Sequence, residues 1–257
     1  MLYSLPMAKT EFIQNSLTTS EAVRFIKGRY EKSDDEVCTE VVVHIHLNDR
    51  LLTKLVASPM QYKELGAGFV ISEGLAETID YVKVDGNNIL VYAQQSAVSN
   101  DYITESSGGS SSGMIRSRIN SEITIDQQGI FRVIGEIVSK LWEKTGGAHC
   151  SVLLSHGELI TKSSDVGRHN TVDKVIGYAL LNRIDLSSCV LGCTGRQPAG
   201  MVGKAVNAGI PIIVTKAATT REGIALAQKA GLTLICRVKG EKFCVYTHPH
   251  RVRDIDA

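Results

Sequence analysis

The segment "NTVDKVIGYALL" at residues 170–181, followed by "SSCVLGC" at 187–193, decides the fold class. The apolar residues of the first segment recur at helical spacing, namely Val172, Val175, Ile176, Ala179 and Leu180. Asn170 or Thr171 is the expected N-cap of this helix. The second segment is a short apolar run, typical of a buried strand. A helix that leads into a buried strand predicts an α/β unit.

The same alternation continues towards the C-terminus. A predicted helix that begins at Pro198 and ends at Gly209 precedes the strand "PIIVT". Thr219 and Glu222 have the spacing of a capping box for a further helix, which ends at Gly231. A closing hairpin pairs "LTLICRV" with "KFCVYT". Together these elements predict a layered α/β domain with a largely parallel central sheet.

The first half of the chain has a different pattern. The β-branched runs "EVVVHIHL" and "RLLTKLVA" flank a turn, and "YVKVDGNNILVYA" contains another, so each region predicts a hairpin. Between them, "YKELGAGFVISEGL" predicts a helix. We therefore predict a polar N-terminal arm (1–36), a small α+β domain (37–122) ending in a Ser/Gly-rich mobile loop (98–122), and an α/β domain (123–257) that begins with a helix around 127–144.

Composition excludes several classes of protein. The 28 Lys and Arg residues nearly balance the 27 Asp and Glu residues, so no global field attracts nucleic acid or an anionic membrane. No apolar run approaches the roughly 20 residues of a membrane span, and the first residues do not resemble a secretion signal. Six cysteines occur without a CxxC pair, as expected for reduced thiols. We expect a soluble, cytoplasmic protein that binds neither nucleic acid nor membrane.

A basic residue stands at each of three helix entrances: "DVGRHN" (165–170), "CTGRQPAG" (193–200) and "TKAATT" (215–220). Helix N-termini at the carboxyl edge of an α/β sheet offer free N–H groups to anions. We predict a phosphate-binding site there, formed by Asp165, Gly167, Arg168, His169, Asn170, Gly195, Arg196 and Lys216. A structural alternative stays open, in which Asp165 pairs with Arg168 across its turn. Neither GxGxxG nor GxxxxGK[ST] occurs at these turns.

The block "DVGRHNTVDKVIG" (165–177) resembles the formate dehydrogenase accessory proteins, which are sulfurtransferases of molybdenum cofactor maturation. Further segments similar to that family follow its order and spacing: "ELGAGFVISEG" (64–74), "TGGAH" (145–149), "KAVNAGIPIIV" (204–214) and "AGLTL" (230–234). The resemblance covers about residues 38–248. It implies a C-terminal domain similar in fold to cytidine deaminases, although the zinc-binding pair of HxE and PCxxC is not present here.

The resemblance also implies a function. Such a protein accepts sulfur from a cysteine desulfurase and passes it to the bis(molybdopterin guanine dinucleotide) molybdenum cofactor, which is bound as a substrate before insertion into formate dehydrogenase. It implies a homodimer without an intrinsic metal. The family's cofactor-contacting segment falls on Arg237, Val238, Lys239, Gly240, Glu241 and Lys242. Lysine keeps the charge of the family's arginines but not their bidentate fork, and a merely solvated turn is the alternative here.

The stretch "TESSGGSSSG" (104–113) occupies the place of the family's mobile loop, where two cysteines carry the sulfur. Ser107 and Ser110 stand at these catalytic positions, and a serine hydroxyl cannot carry a sulfane sulfur because the relay needs a thiolate. Three explanations stay open: deliberate replacement of the cysteines, a chaperone that keeps cofactor binding without sulfur transfer, or a relocated thiol at Cys193 or Cys150. Sulfur transfer and non-catalytic cofactor binding are therefore the two functional hypotheses.

Overall fold

The structure is a computed structural model that describes residues 14–94, 118–253 and 255. Its α-helices are α1 (Tyr62–Ser72), α2 (Gln127–Glu136), α3 (Lys140–Thr145), α4 (Arg168–Leu181), α5 (Ala199–Asn207) and α6 (Arg221–Ala230). Its strands are β1 (Leu17–Ile26), β2 (Arg29–Cys38), β3 (Val41–Leu47), β4 (Arg50–Ala57), β5 (Tyr81–Asp85), β6 (Asn88–Tyr92), β7 (His149–Ser155), β8 (Glu158–Asp165), β9 (Cys189–Cys193), β10 (Ile212–Thr215), β11 (Thr233–Lys239) and β12 (Lys242–Thr247). The predicted catalytic positions Ser107 and Ser110 lie outside the described residues. None of the described helices is long and apolar enough to cross a membrane.

The predicted N-terminal arm contains a two-stranded antiparallel ribbon, β1–β2, in the part that the structure describes. The strands pair in continuous register from Leu17 opposite Cys38 to Ile26 opposite Arg29. Lys27 and Gly28 at the turn both have positive φ, as a type I′ hairpin turn requires. Alternation of charged residues along both strands hid this element from the sequence pattern, because neither face has an apolar stripe along its whole length.

A four-stranded sheet in the order β4-β3-β6-β5 follows the ribbon. Both predicted hairpins of this region are confirmed, and β3 and β6 pair in parallel at its centre. The predicted helix is confirmed as α1, which covers one face of the sheet. The apolar core between them includes Val43, Ile45, Leu65, Phe69, Ile89 and Val91.

The C-terminal half forms a six-stranded sheet in the order β12-β11-β10-β9-β7-β8. The prediction of a largely parallel sheet is wrong, because only β9, β10 and β11 are parallel neighbours and the other pairings are antiparallel. Short turns at His156–Gly157 and Gly240–Glu241 join the outer pairs. Connections this short can only join antiparallel strands.

Helices cover both faces of this sheet. α4, α5 and α6 pack on one face over a core that includes Leu191, Val202 and Leu234. α2 packs on the other face against Val152 and Val214. The single helix predicted around 127–144 is instead two helices, since the hydroxyl of Ser139 accepts a hydrogen bond from the N–H of Trp142 (3.0 Å) and starts α3 anew.

The two halves of the chain meet where α1 crosses α4. A Cβ on Gly68 would lie 1.7 Å from the carbonyl oxygen of Asp173, and one on Gly177 would lie 1.8 Å from that of Glu64. Only glycine allows two helix backbones to come this close. Next to the crossing, Lys204 of α5 forms ion pairs with Glu73 (2.6 Å) and Asp173 (2.8 Å), all three being buried.

Candidate functional site

The three predicted corners lie on one edge of the six-stranded sheet. β8, β9, β10 and β11 run in the same direction and end at this edge, while β7 and β12 begin there. α4, α5 and α6 also begin there, because each follows one of these strands. We call the cationic side chains of this edge the basic edge: Arg168, Arg196, Lys216, Arg237, Lys239 and Lys242.

Asp165 organises the first corner from inside the protein. Its fully buried carboxylate accepts hydrogen bonds from the Gly167 N–H (2.8 Å), the Asn170 side-chain amide (2.9 Å) and the Ser58 N–H (3.0 Å). Asn170 is also buried and donates to the carbonyl of Val56 (2.8 Å). The two predicted ligand contacts Asp165 and Asn170 therefore shape the turn, and their side chains do not face solvent.

The ionic partner of Asp165 is Lys174, in the second turn of α4. The Nζ of Lys174 lies 2.5 Å from Asp165 Oδ2, and both side chains are fully buried. The alternative that Asp165 pairs with Arg168 is therefore wrong. The predicted helix start is also wrong by a few residues, because Gly167 is the N-cap and α4 begins at Arg168. Asn170 is used inside the turn instead of as the cap.

Arg168 joins the first corner to the second. A Cβ on Gly195 would lie 3.1 Å from the Cβ of Arg168, so the arginine stem rests directly on this glycine. The Nε of Arg168 is buried and has no hydrogen-bond partner among the described residues. The guanidinium is therefore held in place by packing and keeps donor capacity for a ligand.

Gln197 joins the second corner to the third. Its fully buried side-chain amide donates to the carbonyl of Gly195 (2.8 Å) and to Cys193 Sγ (3.0 Å). Its backbone N–H donates to the carbonyl of Ala218 (3.0 Å), and the Thr219 hydroxyl donates to the Gln197 carbonyl (2.8 Å). Gln197 was not among the predicted site residues, although it lies between Arg196 and Pro198 in the second corner.

The closing hairpin is attached to the third corner. The N–H of Arg237 donates to the carbonyl of Ala217 (3.0 Å), next to exposed Lys216. Val238, also a predicted contact, is 2% exposed, and its side chain packs in the core, where it anchors the hairpin. Lys239 and Lys242 are directly opposite each other across β11 and β12. Like charges in this position repel, which favours an anion between them.

The basic edge is a local concentration of charge that the described residues do not neutralise with ion pairs. Within residues 14–94 and 118–253, none of its six cations forms an ion pair. Gly240 and Glu241 lie exposed at the hairpin turn, and Glu241 is the acid of this segment. An edge of this kind fits a ligand with several phosphates, since arginine forks and helix N–H groups both bind phosphate oxygens.

Two histidines lie next to Arg168. Burial, followed by the charges of Lys204 and Arg168, lowers the pKa of His169 to about 4, so this ring is neutral at pH 7. Burial and Arg168 also lower the pKa of His149. His149 Nδ1 lies 3.1 Å from the Thr194 hydroxyl, which also accepts the Cys150 N–H (3.1 Å). His149 was not among the predicted ligand contacts, although "TGGAH" pointed to it.

The two thiols proposed as replacements for the loop cysteines are inaccessible. Cys150 and Cys193 are each about 1% exposed. Burial raises the pKa of the Cys193 thiol to about 12, and a protonated thiol is a poor nucleophile. Cys244 on β12 is exposed and Cys38 is half-buried.

A groove of about 420 Å³ lies at the opposite edge of the sheet, between the start of α2 and the His156–Gly157 turn. Its arginines are paired, Arg253 with Asp126 and Arg132 with Glu158. His156–Glu158 is an HxE triplet, but no PCxxC segment accompanies it in the sequence. Within the described ranges, no group of three or more His, Cys, Asp or Glu side chains could hold a metal ion.

These features define an α/β protein with a basic edge built on a mixed sheet. The chain belongs to the FdhD/NarQ family, whose model matches residues 38–253. It is 37% identical to Protein FdhD of Methanocaldococcus jannaschii over 228 residues, covering 88% of this chain and 94% of the relative. It is 34% identical to the Sulfur carrier protein FdhD of Wolinella succinogenes, covering 86% of this chain and 84% of that protein.

A solved structure has the same fold. The crystal structure of a formate dehydrogenase accessory protein from Desulfotalea psychrophila matches with a TM-score of 0.80 and 29% sequence identity, covering 92% of this chain and 99% of that chain. The resemblance stated from the motifs is thereby confirmed. The chain is a mixed α/β member of a family of formate dehydrogenase accessory and sulfur carrier proteins.

Proposed function

We propose that this protein binds the bis(molybdopterin guanine dinucleotide) molybdenum cofactor at the basic edge, as a substrate, and serves the maturation of formate dehydrogenase. The observation that carries the proposal is the set of six cations without an ionic partner among the described residues, at one edge where three helices begin. The two diphosphates of this cofactor supply the anions that such an edge requires.

The residues of the edge have distinct roles in this proposal. Arg168 and Arg196 bind phosphate oxygens with their planar forks, while Lys216, Lys239 and Lys242 act as point charges. Asp165 and Asn170 fix the turn from beneath, and Val238 anchors the hairpin. His169 is neutral, so it contributes hydrogen bonding and not charge.

For this chain we propose cofactor holding in preference to sulfur relay. Ser107 and Ser110 stand where the family's sulfur-carrying cysteines are expected, and the thiols of Cys150 and Cys193 are buried. Sulfur transfer from a cysteine desulfurase is the second candidate, supported by relatives that are named sulfur carrier proteins. It would need a thiol that solvent reaches, such as Cys244.

The proposal includes the setting in which the protein works. We propose that it acts in the cytoplasm as a homodimer, with a cysteine desulfurase and formate dehydrogenase as partner proteins. A sheet covered by helices on both faces supports a C-terminal domain with cytidine-deaminase-like layering.

Titration of the protein with GDP, a probe for the guanine dinucleotide end of the cofactor, tests the site. Arg168→Ala and Arg196→Ala should each weaken GDP binding about 10- to 100-fold, because each removes charged hydrogen bonds. Arg132→Ala at the opposite groove is the matched control and should leave affinity unchanged. Wild-type affinity in both edge variants would refute the site.

Mass spectrometry of the intact protein after incubation with a cysteine desulfurase and cysteine separates the two functions. If the protein holds the cofactor without relaying sulfur, the present chain should gain no sulfur, and a Ser107→Cys, Ser110→Cys variant should form an adduct. An adduct on the present chain, located by peptide mapping, would establish sulfur relay instead.

A further inference from the structure

The tip of the β1–β2 ribbon exposes large apolar side chains on one face. Val23, Phe25 and Tyr30 are 65%, 64% and 78% exposed. Phe25 lies opposite Tyr30 across the ribbon, with ring centroids 5.2 Å apart, and Val23 lies opposite Lys32. Antiparallel partners project to the same face, so these three side chains form one cluster, which we call the tip cluster.

Among the residues that the structure describes, the contacts of α3 hold the base of the ribbon. Glu36 forms an ion pair with Lys144 of α3 (2.6 Å), and Cys38 Sγ lies 3.0 Å from the Thr145 hydroxyl. An isolated two-stranded hairpin is marginally stable at best in water. Another surface should therefore cover the tip cluster.

Charge is divided along the ribbon, and this division identifies the covering surface. The tip half, residues 22–32, has four cations and one acid, for a net charge of +3. The base half, residues 17–21 and 33–38, has four acids and no cation, for a net charge of −4. A ribbon whose two halves have opposite net charge is complementary to an antiparallel copy of itself, whereas a parallel copy would bring like charges together.

We propose that two copies of this chain pair through the ribbon, face to face and antiparallel, about a two-fold axis that passes through the tip cluster. Same-face residues follow one another every two positions. An axis midway between the Phe25–Tyr30 and Val23–Lys32 pairs therefore stacks the two tip clusters on each other. By the same alternation, Lys27 at the turn comes opposite Glu21 of the partner subunit and next to Asp34 of the partner subunit, whereas Arg29 pairs with Ile26 on the other face.

This arrangement accounts for both unusual features of the ribbon at once. The apolar surface is buried at the axis. On either side of the axis, the cationic turn of one copy meets the acidic pair Glu21 and Asp34 of the other copy. The ribbon ends at residue 38, where the match to the family model begins. The pairing is independent of the ligand assigned to the basic edge, so either can fail without the other.

A charge exchange tests the pairing by sedimentation equilibrium of the full chain. One variant carries Glu21→Lys with Asp34→Lys, and the other carries Lys27→Glu. Each variant alone opposes like charges at both contacts, so its dimer dissociation constant should rise at least about 10-fold relative to the wild type. A mixture of the two restores opposite charges at both contacts and should form the heterodimer.

Removal of the tip cluster gives a second test. Phe25→Ser with Tyr30→Ser should also raise the dissociation constant at least about 10-fold, because these rings lie at the centre of the interface. Val42→Ser with Val56→Ser, which removes two other exposed apolar side chains, from the four-stranded sheet, should leave the dissociation constant unchanged. A far-UV circular dichroism spectrum and a urea midpoint close to those of the wild type show that each variant is folded. A monomeric wild type, a mixture that stays monomeric, or equal effects of the tip and control variants would overturn the proposal.

Discussion

The side chain of Arg168 rests on Gly195. A Cβ on Gly195 would lie 3.1 Å from the Cβ and 3.2 Å from the Cδ of Arg168, closer than ordinary van der Waals contact. The first residue of α4 and the turn after β9 therefore form one surface. The direction of the guanidinium depends on the absence of a side chain at position 195.

Gly195→Ala should move Arg168 and weaken GDP binding about 10-fold, with a loss of roughly 1 kcal/mol in the free energy of unfolding. Calorimetric titration and urea unfolding measure the two effects. Gly135→Ala is the control, because a Cβ there meets no atom within 4 Å. Wild-type affinity in Gly195→Ala would show that the position of Arg168 does not matter for binding.

Gly68→Ala should destabilise the protein by about 3 kcal/mol or more, the upper range for overpacking. The added Cβ would meet the backbone oxygen of Asp173 at 1.7 Å, and a helix backbone cannot move aside as a flexible side chain can. Urea unfolding measures the change. Gly135→Ala, also within a helix, should instead stabilise the protein by up to about 1 kcal/mol. Equal stability of the two variants would contradict the close crossing of α1 and α4.

His169 should make the protein less stable in mild acid. Its pKa is about 4 in the folded protein and about 6.5 when unfolded, so between these values the unfolded chain binds more protons. Stability therefore falls as the pH falls from 6.5 towards 4, by about 3 kcal/mol for this group. Urea unfolding gives the free energy of unfolding of the wild type and of His169→Gln at about pH 7 and about pH 4.5. The difference between the two proteins isolates the contribution of His169, because all other groups titrate in both proteins. Equal pH dependence in the two proteins would refute this assignment.

Lys239→Glu should change stability and binding in opposite directions. It replaces a repulsive cross-strand pair with Lys242 by an attractive one, which should add about 0.5–1 kcal/mol to the free energy of unfolding. The same change removes a cation from the basic edge and should weaken GDP binding. Thermal unfolding measures the stability, and calorimetric titration measures the GDP affinity. In both measurements Lys239→Gln should fall between the wild type and Lys239→Glu. Unchanged GDP affinity would exclude the hairpin from the site.

Much of the fold follows from local pattern, and the departures have local causes. The hairpin around Asn48 and the helix that ends at Gly231 were predicted because turn and capping residues mark them. The direction of β7 was missed, although the His156–Gly157 turn is too short for anything but a hairpin. The break before α3 was also missed, although Ser139 is a good N-cap.

The site was predictable in its location but not in the roles of its residues. Repeated glycine and basic residues at helix entrances indicated the edge. Burial of Asp165 and Val238 depends on contacts with distant segments, such as the bond from the Ser58 N–H, which no local pattern reveals. Gln197 was missed for the same reason, since its partners come together only when the third corner folds against the second.

The carboxylate of Asp165 also links binding to folding. It holds Ser58 from the first half of the chain and Gly167 from the second at the same time. The turn that presents Arg168 is therefore complete only when the two halves are docked. A ligand at this edge would bind the docked state alone and stabilise it in proportion to the logarithm of its concentration. The ligand would therefore act as a folding ligand. The two halves of the chain would stay docked while it is bound and would separate more easily in its absence.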